Sequence, residues 1–274
     1  MPILVGVVLV IIAIVCACML VFSSKPKLEK LLASSRVSIG DTLKAYHETK
    51  ASLGDMGKEG VVSEDMTIMG KPRCESPLTS PLGQKECLYY SYRVTEKHKE
   101  RETYYETDSN GNRRERTRMV TKTSTLDEGS NSTRFFVDDG TGEMLVDPQG
   151  GKFEGLVKTV DRTDSQFSNA SGPSVSFGGL SFNLGSGSSR PESLHYEEEI
   201  IGLDRRVTVV GTLCDKMGDL LIEQYKDSHV LVSTKSQDEM IAETKSSIQT
   251  QKICAIACGI IGIVLMIIGL AANI

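Results

Sequence analysis

The sequence predicts a mainly β domain, folded as a small antiparallel and partly closed barrel, held between two transmembrane helices. Three observations predict it. Two charge-free apolar runs lie at the two ends of a 274-residue chain. Short β-branched and aromatic runs separated by turn residues fill the middle. Among those runs no segment has the length and period of a helix of about 10 residues.

The anchors are residues 3–22 and 253–272, neither of which contains a charged side chain. About 20 residues at about 1.5 Å each reach about 30 Å, the hydrocarbon thickness of a bilayer. A cleaved leader normally opens with basic residues, but here Lys25, Lys27, Lys30 and Arg36 follow the first run instead. The first run is therefore expected to be retained, with Cys16 and Cys18 as small packing residues rather than a lipoprotein site. Lys235, Lys245 and Lys252 precede the second run. Basic flanks favour the cytoplasmic side, so the expectation is a two-pass integral membrane protein with a cytoplasmic middle domain and both termini outside. Ala13 and Ala17, and Ala255 and Gly259, place small residues four apart, where two helices can approach closely. Small residues are also common in membrane helices, which leaves pairing of the two anchors open.

The resulting partition is a transmembrane helix over 1–24, a juxtamembrane helix and linker over 25–58, a β domain over 59–232, a juxtamembrane helix over 233–252 and a transmembrane helix over 253–274. Leu28, Leu32, Ile39, Leu43 and Tyr46 have helical spacing and predict one amphipathic helix over about residues 26–52. A second polar helix runs from Ser236 through Ile248 into the second anchor.

Between the stalk helices, residues 66–70, 88–94, 133–137, 143–146, 207–211 and 219–222 read as strands. Their number and shortness suit an OB-like barrel. Met66-Thr67-Ile68-Met69-Gly70 and Val207-Thr208-Val209-Val210-Gly211 resemble one another, each ending in a Gly that suits a bulge or sharp bend. Asp139-Gly140-Thr141-Gly142 supplies a hairpin turn within residues 136–148, and it lacks the spacing of a calcium loop. Residues 95–126 form a charged hairpin around Asn110-Gly111. A two-residue turn there would set Asp108 opposite Arg113 and Glu106 opposite Glu115. Residues 166–192, rich in Gly and Ser, read as a mobile loop with Phe167, Phe177 and Phe182 able to adhere.

Chemistry is harder to find. None of His47, His98, His195 and His229 lies in a nucleophile context. The chain shows no C-x-x-C, no H-E-x-x-H and no P-loop lysine after Gly185-Ser186-Gly187. No cofactor, metal or catalytic residue is predicted. Cys74, Cys87 and Cys214, an odd number outside the anchors, fit a reducing compartment. The formal charge of −5 disfavours a general nucleic-acid binder.

Several motifs taken together resemble a known family. These are Met66 to Gly70, Ser80-Pro81-Leu82, Cys87-Leu88-Tyr89-Tyr90, Phe136 to Gly142, Val146-Asp147-Pro148, Tyr196-Glu197-Glu198 and Val207 to Gly211. The series resembles the GIDE, or beside-a-membrane, domain of the RING-type ubiquitin ligases in mitochondrial outer membranes and plastids. The resemblance spans about residues 60–225 and the flanking anchors. It implies a ubiquitin-protein transferase whose RING follows the second helix. No RING ligands of this chain match that pattern, so it resembles the RING-less prokaryotic members. Family topology places the eukaryotic domain in the intermembrane space, whereas the cytoplasmic expectation here rests on the basic flanks.

The expectation is a membrane-anchored protein-interaction module whose partners are the bilayer and a protein or peptide. The candidate binding residues are Tyr104, Tyr105, Arg113, Arg114 and Arg116 on the charged hairpin. The alternative is a component of a ubiquitin ligase that works with a RING or conjugating enzyme on another chain. Tyr104 and Tyr105 beside arginine also admit oligonucleotide binding, which the interspersed glutamates weaken.

Overall fold

The computed structural model describes residues 2–53, 63–107, 113–165, 174–183, 191–216, 219–226 and 228–271. The first anchor is α1 (Pro2–Met19). It passes through a π-helical turn, Leu20–Ser24, into α2 (Lys25–Ala33), giving one helical rod from Ile3 to Ala33. A two-residue strand β1 (Ser35–Arg36) and α3 (Ile39–Leu53) follow. The chain closes with α4 (Gln237–Ala271), 35 residues, which joins the second stalk helix to the second anchor without a break. Both rods are long and apolar enough to cross a bilayer.

The two anchors pack antiparallel. A methyl on Gly6 would lie 2.8 Å from the carbonyl of Gly262, and one on Gly262 would lie 2.9 Å from that of Gly6. A methyl on Gly259 would sit 3.8 Å from the Cβ of Ala13. The small residues thus meet across the pair, with the close backbone approach about two turns from the expected Ala13 and about one turn from the expected Gly259.

The single amphipathic helix expected over 26–52 is broken into α2, β1 and α3. Leu31 is buried and Leu32 is 58% exposed, the reverse of the sequence expectation. The break is a tertiary effect. The Thr67 hydroxyl donates to Ser34 Oγ at 2.8 Å, and the Gln237 side-chain amide donates to the carbonyls of Leu31 (2.8 Å) and Ser34 (3.0 Å). The two Gln237 bonds satisfy carbonyls that a helix end leaves open.

The described strands continue with β2 (Ser63–Arg73), β3 (Leu78–Thr79), β4 (Glu86–Cys87), β5 (Tyr89–Thr107), β6 (Arg113–Ser132), β7 (Phe135–Asp138) and β8 (Glu143–Val146). After them come β9 (Lys152–Glu154), β10 (Val157–Ser165), β11 (Ser174–Phe177), β12 (Leu180–Asn183), β13 (Ser193–Ile201), β14 (Val207–Lys216), β15 (Asp219–Glu223) and β16 (Leu231–Ser233). Strands β2, β7, β8, β15 and β14 close a five-stranded barrel, since β14 pairs back with β2. Every contact in that ring is antiparallel except β8 with β15, which are parallel and separated along the chain by β9 to β14. A long connection is what a parallel pair requires. Phe135, Val137, Met144, Val146, Val207, Val209 and Ile222 fill the interior.

The look-alike runs pair with each other, with Gly70 opposite Val207, Ile68 opposite Val209 and Met66 opposite Gly211. Neither Gly ends its strand. Each marks the point where the outer edge changes partner. On β2 the edge passes from β1 to β7, and on β14 it passes from β16 to β15. A methyl on Gly70 would lie 2.2 Å from the carbonyl oxygen of Asp138, so the missing side chain serves close approach.

A second sheet, in the order β10, β13, β5 and β6, stands beside the barrel. Strands β11 and β12 form a hairpin inside the segment expected to be a mobile loop. Val175, Phe177, Leu180 and Phe182 pack with Tyr196, Leu194 and Val94. Phe167 lies outside the described residues. A third cluster, Leu31, Val210, Leu231 and Met240, seats the barrel on α2 and α4.

Candidate functional site

The charged hairpin is built by β5 and β6, which pair from Tyr89–Ser132 out to Thr107–Arg113. The sequence left the register open, and the observed one is a residue away from that of a two-residue turn at Asn110-Gly111. Glu106 faces Arg114, and Glu115 faces Tyr105. A one-residue slip reverses the faces, and here it removes a like-charge pair. Asp108, Asn110 and Gly111 lie outside the described residues. Strand β13 covers β5 only as far as Lys97. Beyond that point, among the described residues, the hairpin is a two-stranded ribbon about 33 Å long, at about 3.3 Å per residue.

The five sequence-predicted residues divide between its faces. Tyr104, Arg114 and Arg116 share one face, where Arg116 pairs with Glu106 at 2.6 Å, Arg118 pairs with Glu102 at 2.7 Å and Arg118 lies 5.4 Å over the Tyr104 ring. Lys122 pairs with Glu100 at 2.6 Å further down, which holds the Glu100 carboxyl below its ordinary range. This face largely neutralises itself. Tyr105 and Arg113 share the other face, with the guanidinium 5.4 Å over the ring. Tyr105 is 62% exposed and Met119, on the same face, 57%. Arg101 faces Met119 directly. The sequence reading missed Arg101, which alternation along β5 places on the Tyr105 face, and Met119, which only the observed register puts there. Their signal was the alternation counted from Thr107–Arg113.

The motif residues 80–90 build a junction rather than an open site. Glu198 projects from β13 into the protein and is fully buried. It accepts hydrogen bonds from the backbone N–H of Leu82 (2.6 Å) and Gly83 (3.0 Å), and from the Thr159 hydroxyl (2.7 Å). Ser80 closes the same turn by accepting from the Lys85 N–H at 3.1 Å. Leu88 donates to the Ile201 carbonyl at 2.8 Å and accepts from Thr133 at 3.0 Å, tying the two sheets together. Tyr89 stacks on Phe153 with ring centroids 3.8 Å apart. Tyr196 is buried against Phe177 at 4.5 Å. Cys87 is buried, and burial together with the nearby Glu198 charge pushes its thiol up to about 11. A thiol so poorly ionised is a packing group, not a nucleophile.

Among the described residues, one group has the composition of a metal site. Asp161, His195 and Glu197 bring ligand atoms within 4.8 Å of one another. Lys158 sits between the carboxylates, 3.0 Å from Asp161 and 3.4 Å from Glu197, and Thr163 Oγ lies 2.9 Å from His195 Nδ1. The Lys158 ammonium already supplies the charge that a cation would bring, and its hydrogen bond holds the Asp161 carboxyl low.

The turn residues Asp139 and Thr141 have a tertiary role as well. Asp139 Oδ2 accepts from the N–H of Ile39 at 2.9 Å, and Thr141 Oγ1 accepts from that of Gly40 at 2.9 Å. The β7–β8 turn therefore caps the N-terminus of α3, which the sequence reading did not foresee.

A family model, GIDE, described as E3 Ubiquitin ligase, matches residues 103–267. The match begins inside β5 and ends inside α4. It includes the 136–148 hairpin, the Tyr196-Glu197-Glu198 strand and Val207 to Gly211, while residues 80–90 precede it. No curated protein and no solved structure matches the chain significantly. With more than half of the chain matched, carrying a β domain between two apolar helices, the protein belongs to the GIDE family.

Proposed function

We propose that this chain is a membrane-anchored protein-interaction module that presents the distal ribbon to a protein or peptide partner. The observation that carries this reading is the exposed Tyr105, Met119, Arg101 and Arg113 face on a ribbon that no other strand among the described residues covers. An aromatic side chain and a thioether beside arginines form a surface rich in the residue types that dominate interface energetics. The outer edge of β6 also leaves backbone groups open to an added strand. The matching chemistry is an extended segment with apolar and acidic side chains. On the basic flanks at Lys25, Lys27 and Lys30 and at Lys245 and Lys252, the domain faces the cytoplasm and both termini lie on the opposite side.

The test replaces residues 98–122 by Asn-Gly, joining the register partners Lys97 and Thr123. A photo-crosslinker at position 105 in membranes is expected to give a discrete protein adduct, while one at Thr163, on the opposite edge strand of the same sheet, gives none. Purification of the shortened chain with every partner of the full chain would refute the proposal.

A second reading follows from the description of the family model, namely participation in ubiquitin-protein transfer with the conjugating chemistry supplied by another polypeptide. A reconstituted conjugation assay separates the two. Product that depends on this chain supports transfer, and product unaffected by it leaves the binding module.

A further inference from the structure

A cavity of about 520 Å³ lies where both anchors leave the apolar zone, between the π-helical turn, α2, α4 and the barrel rim. Its level is fixed by Ser24, just past the first apolar run, and Gln251, just before the second. Their side chains meet across the cavity, Ser24 Oγ donating to Gln251 Oε1 at 3.0 Å. On the anchor side the lining continues onto Met19 and Phe22, 53% and 80% exposed. On the domain side it is polar and basic.

The charges of that basic wall do not balance. Glu154 is held by Lys27, and Glu243 by Lys235 at 2.6 Å. Lys30 and Lys152 have no carboxylate partner among the described residues. The Lys30 ammonium is bound only by neutral acceptors, Ser228 Oγ at 2.7 Å and the His229 carbonyl. Burial lowers the Lys30 pKa, Asp65 opposes the shift and the neighbouring Lys152 adds to it. Asp65 is outside the cavity lining and accepts the Thr212 hydroxyl at 2.6 Å. Two cations on one wall, one of them partly desolvated, gain from an anion placed between them. Serine hydroxyls at Ser23 and Ser228 add donors suited to phosphate and glycerol oxygens.

We propose that this cavity binds the headgroup of an anionic glycerophospholipid from the adjoining leaflet, its phosphate on Lys30 and Lys152 and its acyl chains over Met19 and Phe22. The lipid, rather than a soluble phosphate, is the occupant because the cationic wall opens directly onto exposed apolar side chains at the end of a membrane helix. The volume falls within the range of small-ligand sites, and basic pockets beside membrane helices recognise such headgroups. The site is independent of the ribbon and of the partner reading.

The test uses the full chain in detergent with equal amounts of phosphatidylglycerol and phosphatidylcholine, and bound lipid is read by native mass spectrometry. The wild type is expected to prefer phosphatidylglycerol, by about fivefold for each lysine. Lys152→Gln, an exposed position that folding tolerates, should lose about fivefold of that preference, and the double variant with Lys30→Gln should retain none. Lys25→Gln removes a charge at the same level outside the cavity and should leave the preference intact. Equal retention of both lipids by the wild type overturns the proposal, as does a preference that Lys152→Gln leaves undiminished. An equal loss in Lys25→Gln, marking general surface attraction, overturns it too. So does displacement of the lipid by glycerol 3-phosphate at equal concentration, which marks a soluble-phosphate site.

Discussion

The carboxylate of Glu198 and the backbone N–H of Leu82 lie 2.6 Å apart in a position from which solvent is excluded. A buried carboxylate is tolerated only where donors replace its water, and here the turn at residues 80–83 supplies them. The Ser80-Pro81-Leu82 motif is thereby explained as a receptor for a glutamate on the neighbouring sheet. Glu198→Ala strands the N–H groups of Leu82 and Gly83, with an expected loss of about 3 kcal/mol. Thermal unfolding of the full chain, followed by circular dichroism, measures it. A variant as stable as wild type would show that the turn stands without its glutamate.

Asp139 ties a barrel turn to α3. Partial burial would raise its pKa, but the hydrogen bonds from Ile39, Thr141 and Gly142 outweigh it and the carboxyl is held below its ordinary value. Because the folded pKa is the lower one, this contribution to stability is present above the ordinary aspartate range of about 4 and disappears as pH falls through the folded value. Amides of α3 should exchange hydrogen faster below about pH 4 than at pH 6 after correction for intrinsic rates. Asp139→Asn should exchange faster at pH 6 and lose this acid response.

The buried Cys87 thiol, raised to about 11, reverses that sign. Its contribution is complete below the unfolded value of about 8.5 and is lost as pH rises towards 11. At pH 8 iodoacetamide should modify the partly exposed Cys74 at least tenfold faster than Cys87. Mass mapping of the labelled peptides provides the comparison, and labelling in denaturant should abolish the difference.

Close contact of the anchors depends on Gly6 and Gly262. Cys16 Sγ and Cys254 Sγ lie 3.7 Å apart across the same pair of helices. In a background with Cys18 and Cys258 changed to Ser, mild oxidation should join Cys16 to Cys254. Gly262→Leu, which drives a side chain into the Gly6 backbone, should cut the crosslinked yield several-fold.

Gly70 and Gly211 occupy equivalent points on paired strands but meet different neighbours. Gly70→Ala places a methyl 2.2 Å from the Asp138 backbone carbonyl, which cannot move without opening β2 from β7. Gly211→Ala meets the Ile222 methyl at 2.5 Å, a side chain able to turn. The expected costs are about 2–3 kcal/mol for the first and about 1 kcal/mol for the second. Equal melting temperatures for the two variants would contradict this ranking.

The sequence by itself determined the two anchors, the predominance of strand between them, both hairpins and the family. Each of these rests on local quantities: a charge-free run of bilayer length, β-branched alternation, and turn residues at Asp139 to Gly142. Tertiary structure decided what depends on distant partners. Strand β13 was illegible because its inward position 198 is a glutamate, which breaks the apolar alternation and makes sense only once residues 82 and 83 are folded against it. The helix expected over 26–52 breaks because Gln237 and Thr67, far along the chain, satisfy the backbone and side chain at Leu31 and Ser34. The one-residue register of the ribbon brought Met119 opposite Arg101 and onto the face of Tyr105. In each case the deciding energy is a hydrogen bond or an ion pair between residues remote in sequence, which no window along the chain contains.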